Sequence, residues 1–199
     1  MKRGFLHMIF FFASMLSLHA QDVLPSTVMV NTSFHGKEQS AKENAVTIFY
    51  NSVSKEIYIV VDFAKFNIVL DSADNWLADL KDTRLVYRGT INSDNLLTLT
   101  PNNSKSLVLN GKIKFNQAIA NRPIDLVLFE ISKDGVLYRN NNNDYYDRIR
   151  TTFEFSVSPM DFNINKKPHH LTKPIMIKVE NGYINEFKPG MEDWIGNNY

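Results

Sequence analysis

Few side chains in this sequence are arranged for chemistry. It has no Cys to act as a nucleophile or soft metal ligand. It also lacks a Gly-x-Ser-x-Gly turn, a His-Glu-x-x-His pair and a glycine-rich phosphate loop. Carboxylates and histidines remain. Glu154 lies on the polar side of an alternating stretch that carries Phe153 and Phe155, whereas Glu130 shares a side with Leu126 and Leu128. Two carboxylates can hydrolyse a bond by acid and base catalysis, but such pairs are assembled in space and leave no fixed spacing in a chain. The simpler reading of both is a solvent-reaching carboxylate on a strand or at its end. His169 and His170 are adjacent and His35 is far away. Neighbouring residues of a strand point to opposite faces, so this pair is a poor grip for one ion, and no second histidine pair or carboxylate stands at ligand spacing. No metal and no cofactor is expected, and the chain is read as a non-enzyme. Trp194 and Tyr199 follow Pro189 in a Gly- and Asn-rich tail. Such rings can stack on a sugar or a partner, although a tail tucked over the end of the fold or simply disordered is the plainer reading. The polar run Asn140–Asn143 with Asp144, Tyr145 and Tyr146 reads as an exposed loop.

The elements that would position any of these groups begin after a leader. Lys2 and Arg3 precede an apolar run from Phe5 to Leu18, and Ala20 offers a small residue at a cleavage point before Gln21. Residues 1–20 are therefore expected to be a signal peptide, residues 21–188 a single β-barrel domain and residues 189–199 a C-terminal tail. Export without any cysteine means that no disulfide frame holds the fold and a hydrophobic core must do so alone. The roughly 179 residues that remain suffice for one such core. Removing Lys2 and Arg3 from the 22 basic residues leaves 20 against 21 acidic, with no basic block longer than Lys166-Lys167. Nucleic acid is thus an unsuitable partner. No later segment reaches membrane-spanning length, and the destination is read as the periplasm or, alternatively, the extracellular space.

Period-two alternation dominates the mature chain. Leu107, Leu109, Gly111, Ile113 and Phe115 fall on one face of a strand, with Val108, Asn110, Lys112 and Lys114 on the other. Ile57, Ile59, Val61 and Phe63 alternate with Tyr58, Val60 and Asp62, and Leu85, Tyr87, Gly89 and Ile91 with Val86, Arg88 and Thr90. Further strands are expected near 46–50, 96–100, 124–131, 136–138, 151–157 and 175–179. Turn clusters separate them at 51–54, 92–95 and 101–104, and Lys133-Asp134-Gly135 suits a hairpin. Trp76, Leu77 and Leu80 fall at helical spacing and predict one short helix over 72–82. Many short strands at this spacing make an all-β barrel or sandwich.

The strand with Tyr87, Gly89 and Ile91, followed by the one with Leu109, Gly111 and Ile113, resembles the YceI-like family of periplasmic lipid-binding barrels. The resemblance spans roughly residues 45–180, from the stretch Lys55–Phe63 and Trp76 to the Phe153 and Phe155 strand, Asp161–Ile164 and the strand at 175–179. It implies an extended antiparallel eight-stranded, lipocalin-like barrel that takes up a lipid or isoprenoid-like amphiphile. The interior positions would be Ile59, Val61, Phe63, Leu85, Tyr87, Gly89, Leu109, Gly111, Ile113, Phe153 and Phe155. Gly89 and Gly111 would remove bulk where a chain might pass, or would simply relieve crowding in a dry core. The alternative function is a cell-envelope interaction module with a filled core and no small ligand. The sequence does not decide its oligomeric state.

Overall fold

The computed structural model describes residues 23, 25–34, 37–66, 80–91, 99, 103–130, 149–162 and 174–196. Eight strands follow in order: β1 (Ser26–Phe34), β2 (Lys37–Asn51), β3 (Glu56–Asp62), β4 (Arg84–Thr90), β5 (Ser104–Phe115), β6 (Ala118–Glu130), β7 (Ile149–Val157) and β8 (Ile175–Glu186). Each pairs antiparallel with its neighbours in the chain, and β8 returns to β1, so the sheet is a closed barrel. The eight-stranded antiparallel barrel expected from the sequence is what the chain forms.

Closure is shared between two partners of β8. Its first half pairs antiparallel with β1, Val28 opposite Val179 and Asn31 opposite Met176. Its second half runs parallel to β2, with Ile48 opposite Ile184 and Tyr50 opposite Glu186. The handover lies at a register shift where β1 begins, between Ser26 and Val28. There the Tyr183 N–H donates to Ser26 Oγ at 2.7 Å, the Asn185 side-chain amide donates to the Ile48 carbonyl at 3.1 Å, and the Phe187 N–H donates to the Tyr50 carbonyl at 2.8 Å. A β8 bulge between the Thr151 and Phe153 pairings, with Asn181 at φ 59°, bends the strand from one partner to the other.

Alternation works as the sequence implies. Val28, Val46, Ile48, Ile57, Ile59, Val61, Leu85, Ile113, Leu126, Leu128, Ile177 and Val179 are fully or almost fully buried in one inward cluster. Asn51 accepts the N–H groups of Val53 and Ser54 at 2.9 and 3.0 Å, making the expected turn before β3. At one end of the barrel the chain leaves β3 in a single 3-10 turn, Phe63–Lys65, and follows β7 with another, Pro159–Phe162. Asp62 caps the first by accepting the Ala64 N–H. These turns bring Phe63 within 5.5 Å (centroid to centroid) of Phe115, and Phe162 within 5.7 Å of the same ring, with Phe66 behind Phe63. β3, β5 and β7 run in the same direction, so the four rings stopper one end.

Three differences from the sequence reading have physical causes. The sequence reading does not include β1, and it does not extend β2 back to Lys37 because Lys37 to Asn44 is exposed on most positions and shows no oily side. The turn between β5 and β6 is the pair Asn116-Gln117, with both residues at positive φ and no glycine to signal it, so β6 starts at Ala118 rather than near Ile124. The short α-helix of the described chain, α1 (Glu192–Ile195), lies in the C-terminal segment. Most of the helix expected over 72–82 lies outside the described residues, as do the strand expected at 136–138, most of that at 96–100, the Lys133–Gly135 hairpin and the Asn140–Tyr146 loop.

Phe115 is the hub of the aromatic stopper. Phe115→Ala is expected to cost about 3–5 kcal/mol of stability, read as a lower urea midpoint at unchanged slope.

Candidate functional site

The sequence-derived interior positions do meet. Ile59, Tyr87 and Ile113 form one cross-strand row, and Val61 and Leu85 form the next with Phe115. Ile57, Gly89 and Gly111 form a third. Leu109 stands opposite Ile124, while on the other wall Phe153 pairs with Leu126 and Val179, and Phe155 with Ile177. The Phe153 and Phe155 rings are 6.1 Å apart and nearly parallel. All of these except the two glycines belong to the same buried cluster, and so does Phe63.

The glycines have a resident neighbour. A Cβ on Gly111 would sit 2.4 Å from the Arg88 carbonyl and 2.5 Å from the Tyr87 ring, and one on Gly89 would sit 2.8 Å from that ring. The β4–β5 ladder ends at Gly89 and Gly111. Beyond it the fully buried Tyr87 lays its ring across both glycines and donates its hydroxyl to the Leu109 carbonyl at 3.0 Å. The room beside Gly89 and Gly111 is therefore taken by Tyr87, as the crowding reading requires. Burial pushes the Tyr87 phenol up to about 12, so it is a neutral donor at any ordinary pH.

No charged residue is buried among the described residues; the buried polar ones are Ser26, Thr32, Ser33, Thr47 and Thr151. The charges lie outside the wall. Tyr58 donates to Glu56 at 2.6 Å and Arg88 donates to the other Glu56 oxygen at 2.8 Å. Burial pushes the Glu56 carboxyl up, but hydrogen bonds from Tyr58, Arg88 and Ser54 outweigh it and hold the group below its ordinary value. Burial, and then the Glu56 hydrogen bond, push Tyr58 up to about 12. Glu154 is exposed and stands opposite Asp125 and Lys178; Glu130 is the last residue of β6, opposite Ile149. Neither the outer Glu56 network nor Glu154 borders the apolar interior. His35, His169 and His170 lie outside the described residues, as does Tyr199. No group of three or more His, Cys, Asp or Glu able to hold a metal ion occurs among the described residues.

The sequence reading missed a second apolar surface. Phe49, Tyr58, Val60 and Val86, on the outer side of β2–β4, are also buried, and Val23, Phe187, Met191 and Ile195 cover them. The tail thus packs on the outer wall and not over the barrel's end. Trp194 meets Phe49 edge-on at 5.8 Å. Asp82 holds the Arg84 guanidinium through two contacts of 2.9 Å, and Arg84 donates to the Asp193 carbonyl at 2.7 Å, pinning α1. Between α1 and the β5–β6 turn lies an open surface cavity of about 260 Å³, bordered by Lys81, Arg84, Lys114 and Gln117. The signal available in the sequence was the run of apolar residues on both faces, Ile57–Val61 and Leu85–Tyr87, which a strand wet on one side would not carry.

No protein-family model and no curated protein matches the sequence. Among solved structures, the chain is similar to a polyisoprenoid binding domain from Saccharophagus degradans, described as implicated in plant cell wall breakdown. The match has 9% identity and a TM-score of 0.58, and covers 79% of this chain and 92% of the other. The resemblance drawn from the alternating strands therefore holds as a shared barrel fold.

Two expectations follow from the Tyr87 arrangement. Gly111→Ala should cost about 2–3 kcal/mol by chemical denaturation, since the new methyl meets backbone. Tyr58 and Tyr87 should titrate near 12 instead of 10 by ultraviolet absorbance. Because both values are raised in the folded state, the stability they carry is intact below pH 10 and is lost as pH rises through about 12. Tyr87→Phe should remove one of the two late-titrating groups.

Proposed function

We propose that this protein is an exported, non-enzymatic carrier that holds a lipid or isoprenoid-like amphiphile inside its barrel. The observation that supports this best is the barrel itself: a closed eight-stranded wall whose inward face is apolar and free of buried charge among the described residues. An interior of that size is either filled by side chains or accepts one slender ligand. The similarity to a polyisoprenoid binding domain favours the second use. The leader at residues 1–20 supports export, with the periplasm as destination, and no described helix is long and apolar enough to cross a membrane.

An interaction module would use an exposed apolar patch. The outer aromatic face of β2–β4 is instead covered by the chain's own C-terminal segment. The exposed large apolar residues among those described, Val53, Val108, Ile119, Tyr183 and Trp194, are spread over the β2–β3 turn, β5, β6, β8 and α1.

Native mass spectrometry of the protein purified from an expressing cell envelope, followed by solvent extraction, tests the reading. The expected result is a chain beginning at Gln21 that carries one extractable amphiphile. A clean unliganded mass that stays unchanged after incubation with farnesol would overturn the carrier.

A further inference from the structure

Thr151 carries a buried hydroxyl that no hydrogen bond of the fold uses. Thr151 belongs to the inward set of β7, between Ile149 and Phe153, and is completely buried. Its Oγ1 has no hydrogen-bond partner. Two hydroxyls on the same seam are employed: Ser26 accepts the Tyr183 N–H, and Thr152 on the outer face accepts the Asn181 N–H at 3.3 Å. Thr151 stands opposite Leu128 on β6 and Gly182 on β8, where the Ile48 and Val179 side chains close in. These neighbours offer aliphatic carbon and no polar side-chain atom.

Burying a hydroxyl without a partner forfeits the hydrogen bonds it made with water, and a valine of nearly the same shape would avoid that loss. A polar group kept in such a place calls for a partner the protein does not supply. We infer that Thr151 is the polar anchor of the interior, hydrogen-bonding a neutral oxygen, a hydroxyl or carbonyl, on an otherwise apolar chain. The inference rests on the carrier reading and narrows its ligand class. Neutrality follows from the surroundings. No charged residue is buried among the described residues, and the adjacent Arg150 lies on the other face, its guanidinium 3.7 Å from the Tyr183 ring centroid. An ionised headgroup at this depth would lose its hydration with no opposite charge to meet it.

Thr32 is the natural control. Its Oγ1 is also buried without a partner, but it lies on β1 one residue beyond the Asn31–Met176 pair, toward the opposite end of the barrel.

The test compares farnesol with farnesene, a matched alcohol and hydrocarbon, delivered to the mature full-length protein from cyclodextrin and quantified by native mass spectrometry. Wild type is expected to prefer the alcohol by about tenfold, the factor one buried hydrogen bond supplies. Thr151→Val should abolish or reverse that preference, because the alcohol's hydroxyl would then be buried without a partner, while leaving farnesene binding unchanged and melting no lower than wild type. Thr151→Ser should keep the preference, and it serves as the hydroxyl test if the valine variant fails to fold. A valine variant that still prefers the alcohol would overturn the anchor and leave the carrier standing. Loss of preference in Thr32→Val but not in Thr151→Val would do the same. Failure of wild type to bind either probe would remove the carrier reading and the anchor with it.

Discussion

Every strand of this molecule depends on how β8 satisfies two edges at once. An open eight-stranded sheet would leave a row of unpaired N–H and C=O groups on β1 and another on β8. β8 closes the first by pairing with Val28–Asn31 and then, past the Asn181 bulge, runs along β2 at Ile48–Tyr50 where β1 has not yet begun. The side chains of Ser26 and Asn185 bridge the junction that regular ladders leave open. With no cysteine in the chain, this backbone closure and the apolar cluster inside it carry the fold.

Closure then dictates what the interior contains. A closed wall of alternating strands turns one residue in two inward, so the interior becomes apolar along every strand that alternates. One end is stoppered by Phe63, Phe66, Phe115 and Phe162. Along one wall, Tyr87 lies over Gly89 and Gly111, trading two side chains for one aromatic ring whose hydroxyl takes up the Leu109 carbonyl past the end of the β4–β5 ladder. Thr151 departs from this pattern: it puts a polar atom into the same apolar space, with no hydrogen-bond partner in the fold.

The outer wall shows the complementary constraint. β2, β3 and β4 are apolar on both faces at Phe49, Tyr58, Val60 and Val86, and such strands stay soluble only if something covers the outside. The C-terminal segment does so with Phe187, Met191 and Ile195, fastened through Arg84 to the Asp193 carbonyl. Asp82 fixes the guanidinium, and the Arg84 hydrogen bond in turn holds the Asp82 carboxyl below its ordinary value.

The sequence alone determined the faces. Leu85, Tyr87, Leu109, Ile113, Phe153 and Phe155 were legible as inward residues because strand geometry reverses the side-chain direction at every step, and that rule needs no partner strand. The lack of a catalytic motif or cysteine was legible for the same reason, being a property of single positions. Register, closure and partnership belonged to the tertiary structure. The exposed half of β2 became a strand only because β1 lies beside it, and the Asn116-Gln117 turn was set by the pairing of β5 with β6. Tyr87 met the two glycines, and the C-terminal segment met Phe49, only once cross-strand neighbours were chosen. Nor does alternation distinguish a satisfied hydroxyl from an orphaned one. Thr151 and Thr152 look alike in the chain, and which of them found a donor was decided by the bulge at Asn181 across the ladder.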